Sequence, residues 1–189
     1  MHALVDDQSD LLVGPDQAPL LARPYCADGD PCPTVAALAQ VPELLETAMP
    51  FPSAALGPSG IDWRTKEIVI VRTSALAGCR YCVQTYTVVA LDAGLNHGEV
   101  RALRTDIAVA DAFSDPRELA LLGWVDIVAG TGPVADSARA AVRGHWAAHE
   151  VVELTALVGT TLLLNRFATA LAVPTGPDTM SRLATEGLS

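Results

Sequence analysis

The stretch Gly78-Cys79-Arg80-Tyr81-Cys82-Val83-Gln84-Thr85-Tyr86 places two thiols three positions apart and a phenol four positions beyond the second. On a helix, residues three and four apart lie over one another, so Cys79, Cys82 and Tyr86 fall on one face. Such a pair has three readings: a redox couple, half of a metal site, or two small residues in a helical core. The surrounding sequence has to choose among them.

Upstream, Asp62 is placed to cap a helix beginning WRTKEIVIVRTSALA that ends at Gly78. Glu67, Val71 and Ser74 share one of its faces. A second helix, Cys79 to Ala93, is closed by Gly94. Asn96 with Glu99 has the form of a capping box opening HGEVRALR, and Asp115-Pro116-Arg117-Glu118 repeats that grammar before ELALLGWVDIVA. A helix near Asp136 to Trp146 and a long apolar one from about Glu150 to Ala172 follow, the latter stopping before Pro174. Before the thiols, VAALAQ and PELLETAM read as helical, and Pro50, Pro52, Gly57, Pro58 and Gly60 read as a loop. No strand-like alternation of useful length and no internal repeat is found, so an all-α fold is predicted. The prolines among the first thirty-odd residues mark residues 1–33 as an irregular N-terminal arm. Residues 34–175 form the predicted helical domain and 176–189 a C-terminal tail.

Half of the 189 residues are hydrophobic but only 5% are aromatic, which suits helices packed closely through Ala, Val and Leu. A single domain of this length needs no disulfide to hold it. With 12 basic against 22 acidic side chains the formal charge is -10, which opposes binding to nucleic acid or an anionic membrane surface. The N-terminus MHALVDDQSDLLVG carries acids where a signal peptide carries basic residues, and the uncharged run Leu154 to Asn165 is short for a membrane span. A cytoplasmic protein is expected, and in that reducing compartment thiols, a metal site or a catalytic couple are the natural uses of four cysteines.

A cysteine at a helix start faces free backbone N–H groups and the positive end of the helix dipole, which favour the thiolate. A zinc site needs two more ligands. Cys26 and Cys32 are available, but their Cys-x5-Cys spacing is looser than a ligand hairpin and no second tight pair exists. No metal and no cofactor is therefore expected, and the glycines are scattered as helix stops rather than gathered into a nucleotide loop.

The segment EIVIVRTSALAGCRYCVQTYTVVALDAGLNHGEV, from Glu67, resembles the core of the AhpD-like alkylhydroperoxidase and carboxymuconolactone decarboxylase superfamily. In that motif a glutamate precedes a C-x-x-C by twelve residues, a histidine follows the second cysteine by four, and an Ala-x-x-x-Gly stretch leads into an acidic helix start. Glu67, Cys79, Cys82 and Ala90 to Gly94 match it, and HEVVELTALVGTTLLLNRFATALAVP resembles the family's last helix. The resemblance implies an all-α AhpD-like domain with its C-x-x-C at a helix N-terminus. It also implies a thiol peroxidase in which Cys82 attacks a hydroperoxide, Cys79 resolves the sulfenic acid as a disulfide, and Glu67 accepts the proton. A lipoyl-type or other external thiol donor and a homo-oligomer are its implied partners.

The departure is Tyr86, which stands in the histidine place. Tyrosine titrates near ~10 and stays protonated, so it donates a hydrogen bond but does not shuttle a proton at neutral pH. Either Glu67 then acts through water, or another histidine, among His97, His145 and His149, reaches in. Glu67 itself has two readings, a buried base with a raised pKa or a surface acid paired with Lys66 or Arg64. Cys26 and Cys32 read equally as a second redox couple, a disulfide pinning the arm, or two loop thiols. Asn165 and Arg166 read as a contact across a subunit boundary or an exposed stripe, and Trp63, Trp124 and Trp146 as core or interface fillers. Two other functions compete: a decarboxylase-type lyase or hydrolase, whose acid-base chemistry needs no thiol pair, and a non-catalytic oligomeric binding protein on the same fold.

Overall fold

The computed structural model describes residues 11–27 and 31–189, and the expectations for the start of the arm and the loop before Cys32 fall partly outside them. Among the described residues the regular elements are all helical: α1 (Pro33–Leu38), α2 (Pro42–Ala48), α3 (Pro50–Leu56), α4 (Trp63–Leu76), α5 (Arg80–Asp92), α6 (His97–Leu103), α7 (Pro116–Val128), α8 (Asp136–Arg143), α9 (Ala148–Ala170) and α10 (Pro177–Glu186).

α4 is the axis. Thr65 through Val71 are buried in an unbroken run, because α4 packs against α5, α6, α7 and α9. Its start is fixed by Asp62, which accepts from the Thr65 N–H at 2.9 Å and from the Thr65 hydroxyl at 2.8 Å. The main core joins Ile68, Val69, Ile70 and Val71 to Leu121 and Val125 of α7 and Leu154, Leu157 and Val158 of α9. Burying Val and Leu side chains in this way is worth roughly 1.5–3 kcal/mol each before chain entropy is counted. The capping box is present as predicted, with Glu99 N–H on Asn96 and Asn96 N–H on Glu99. Trp124 and Trp146 fill the core, whereas Trp63 is half exposed.

The structure differs from the expectation in two segments. Residues 50–56, read as a loop, form α3: Pro50 and Pro52 both sit in its first turn, where the missing N–H groups have no helical acceptor anyway. Residues 177–186, read as a tail, form α10, which packs on α5 and buries Leu183. Pro177 at its start and Gly187 at its left-handed end, φ +67°, are the signals that mark it. In the described part of the arm, Ala18 and Ala22 pack against Val35, Leu38, Ala39 and Leu45, in one cluster with Phe167 of α9.

α9 is longer than the uncharged run suggested. At 23 residues it has the length and apolar composition of a membrane span. It nevertheless buries Thr160, Thr161 and Asn165 among the helices of the domain, and its Glu153 pairs with Lys66.

Candidate active site

The link between α4 and α5 positions the thiols. α4 closes in a Schellman motif: Gly78 takes the left-handed conformation at φ +67°, its N–H bonds the Ala75 carbonyl at 3.1 Å, and the Cys79 N–H bonds the Ser74 carbonyl at 3.1 Å. A side chain at residue 78 would be strained, which is why glycine stands there. The residue that ends this motif, Cys79, is at once the N-cap of α5. Its Sγ accepts from the Cys82 N–H at 3.3 Å, and Cys82 lies in the first helical turn. The two cysteines are joined as a disulfide with Cα atoms 5.3 Å apart, within the ordinary range for a bridge. Both are buried, packed against Ala168 and Val173 and flanked by Tyr81, Tyr86 and Leu171. On reduction, the dipole and free N–H groups of α5 favour thiolate in this pair.

Glu67 is 2% exposed, and its Oε2 has no hydrogen-bond partner. Desolvation pushes its pKa up to about 8. The alternative of a paired surface acid is excluded by its neighbours: Lys66 binds Ala55 and Gly57 carbonyls and Glu153, and Arg64 binds Glu99 and Glu118. Tyr86 is held well above the usual phenol range, first by burial and then by the nearby Glu67 charge. Glu67 and Tyr86 thus share one electrostatic environment, with Tyr86 packed against the pair, and Tyr86 stays a hydrogen-bond donor throughout the physiological range. The three described residues His97, His145 and His149 are all exposed, and His97 is bonded to Glu186 at 2.9 Å. No histidine among the described residues replaces the relay.

On the outer side, a cavity of about 480 Å³ opens at Cys79. Its walls include Arg80, Gln84, Ala168, Val173 and Met180, and Thr175 donates to Gln84 at 2.7 Å. Both cysteines are nearly closed off in the bridged state, Cys79 at 1% and Cys82 at 3% exposure.

Cys26 and Cys32 are free. Cys32 is exposed at the N-cap of α1. Among the described residues no group of three or more His, Cys, Asp or Glu side chains is placed to hold a metal. Asn165 does not face outward: it is buried, and its Oδ1 accepts from the Ser74 hydroxyl at 3.1 Å. That contact spans 91 residues in sequence and left no local signal.

Residues 42–127 match the carboxymuconolactone decarboxylase family. Three solved structures share the fold. An uncharacterized peroxidase-related protein from Ralstonia eutropha JMP134, with an alkylhydroperoxidase AhpD core, is 18% identical at TM-score 0.74, over 88% of this chain and 94% of that one. An uncharacterized peroxidase-related protein from Silicibacter sp. TM1040 is 17% identical at TM-score 0.76, over 94% and 97%. A variant of the debrominase Bmp8 in complex with 2,3,4-tribromopyrrole is 16% identical at TM-score 0.77, over 98% of both chains. At these identities the likeness speaks for the fold alone. No curated protein matches the sequence.

Proposed function

We propose that this protein is a member of the AhpD-like and carboxymuconolactone decarboxylase superfamily and, within it, a thiol-dependent peroxidase working through a Cys79/Cys82 dithiol-disulfide cycle. The observation that carries this reading is the closed Cys79–Cys82 bridge at a helix N-terminus, flanked by Tyr86, whose phenol feels the charge of the buried Glu67.

In the reduced state Glu67 takes the Cys82 proton, and Tyr86 donates a hydrogen bond toward the charge so formed. The Cys82 thiolate attacks the terminal oxygen of a hydroperoxide; the O–O bond breaks, Cys82 becomes a sulfenic acid, and the departing alkoxide takes the proton back as alcohol. Cys79 then attacks the Cys82 sulfur, expelling water and closing the disulfide. An external dithiol enters the cavity at Cys79 and is oxidised as the pair is reduced. Hydroperoxide and dithiol thus become alcohol, water and donor disulfide. The pKa of Glu67, about 8, suits both directions of proton transfer near neutral pH.

Trapping tests the assignment. One equivalent of hydroperoxide, added to reduced Cys79→Ser protein with a sulfenic-acid probe, is expected to label Cys82, and Cys82→Ser is expected to lose rapid peroxide consumption. A Cys82→Ser variant that consumes peroxide at the wild-type rate overturns the reading. Including a bromopyrrole among the substrates separates peroxide reduction from dehalogenation on the same fold.

A homo-oligomer belongs to the same reading. Val152 and Leu163 of α9 are 70% and 61% exposed, an apolar face that a second copy covers. A monodisperse monomer in sedimentation at micromolar concentration refutes it.

A further inference from the structure

The buried seam between α4 and α9 contains a polar pair that the peroxide chemistry above does not use. Ser74 is fully buried and Asn165 is 1% exposed. The Ser74 hydroxyl donates to Asn165 Oδ1 at 3.1 Å. Asn165 Nδ2 then remains a buried donor with no protein partner. A buried amide N–H without a partner costs roughly 1–3 kcal/mol, so a fold that keeps it does so against stability.

Two contacts tie the neighbours of this donor to the thiols. The Ser74 carbonyl accepts the Cys79 N–H, so the residue that pins Asn165 also anchors Cys79. One turn beyond Asn165 on the buried face of α9, Ala168 packs against Cys79 and Cys82. We propose that Asn165, pinned by Ser74, is a further residue of the thiol site, whose Nδ2 donates a hydrogen bond to the Cys79 thiolate that reduction frees.

The two sulfurs would then have separate supports: Glu67 and Tyr86 serve Cys82, while the α5 N-terminus and Asn165 serve Cys79. A stabilised Cys79 thiolate is a good leaving group when the mixed disulfide with the donor resolves, and a ready nucleophile toward the Cys82 sulfenic acid. The titratable or charged groups around the pair are Glu67 on α4, Arg80, Tyr81 and Tyr86 on α5, and Cys32 at the start of α1. α9 contributes the neutral amide on its buried side, with Arg166 exposed on the other.

The test is the pH dependence of alkylation of Cys79, mapped by peptide mass in the reduced full-length protein. Asn165→Asp keeps the shape and the Ser74 contact but replaces the donor with an acid; Asn165→Ala removes it. In both, the Cys79 titration is expected to move up by about one unit, roughly tenfold less thiolate at a given pH below it. Ser74→Ala leaves the amide in place but unpinned, and about a threefold loss is expected. Any of these variants, folded by circular dichroism and with an unchanged Cys79 titration, overturns the proposal. The inference rests on the redox reading of the pair, but the titration uses no peroxide. Lost peroxide turnover and an unmoved Cys79 titration are therefore separate failures.

Discussion

Lys66 and Glu67 are neighbours on α4 and are 1% and 2% exposed, yet the fold treats them in opposite ways. Lys66 is fully served: its ammonium reaches the Ala55 carbonyl at 3.2 Å, the Gly57 carbonyl at 2.5 Å and Glu153 at 3.2 Å. Glu67, one residue on and turned by about 100°, lies near Tyr86 with an oxygen left unpartnered. A buried charge with three partners ties α3 and α9 to the axis. A buried acid without them is kept neutral by desolvation and is available for proton transfer. The same division runs along the seam, from the satisfied Lys66–Glu153 contact to the unpartnered amide of Asn165.

The largest effect is expected from breaking the satisfied end. Lys66→Ala leaves Glu153 and two carbonyls without their cation, and a loss of about 3 kcal/mol or more is expected in denaturant unfolding. A loss below about 1 kcal/mol would mean that the contacts of Lys66 do not hold α3 and α9 together.

Glu67→Gln breaks the other end in the opposite sense. The rate of disulfide formation with hydroperoxide is expected to fall about a hundredfold by stopped flow, and the rate limb near pH 8 to disappear. Stability should not fall with it. A folded-state pKa of about 8 against 4.5 unfolded means the native state holds a proton that the unfolded state lacks between those values. The contribution of Glu67 is therefore fully present below pH 4.5 and is lost as pH rises through about 8. Glu67→Gln should be the more stable protein above pH 8, with a flatter pH profile below it; a parallel profile would show that Glu67 does not titrate in this window.

A smaller change is expected from Tyr86→His, which restores a group titrating near ~6.5 beside Glu67. Disulfide formation at neutral pH should quicken about tenfold. A slower variant would make the phenol hydrogen bond the working element.

The smallest effect concerns two helix ends at the cleft. α4 turns at Gly78 with φ +67°, whereas α9 turns at Ala172 with φ +49°, where a Cβ is strained. Ala172→Gly should stabilise the protein by about 0.5 kcal/mol in thermal unfolding; destabilisation would show that the methyl packs usefully against the cleft.

What could be read from the sequence was local. Cys79, Cys82, Tyr86 and the twelve-residue offset of Glu67 lie within two consecutive helices, and Asp62 announces the start of the first as Asn96 with Glu99 does that of the helix after them. Such features depend on helical period and caps, which a few neighbouring residues fix. The prolines of α3 misled because proline marks loops and first turns alike, and α10 was missed because Pro174, Gly176 and Pro177 read as the end of the helical domain when Pro177 is the first residue of a helix. Only the tertiary structure decided that Lys66 has three partners and Glu67 an oxygen with none, that Asn165 meets Ser74 from 91 residues away, and that a cleft opens next to the bridge. The reason is physical: burial, desolvation and hydrogen-bond satisfaction are properties of the space between helices, set by side chains that no local period relates.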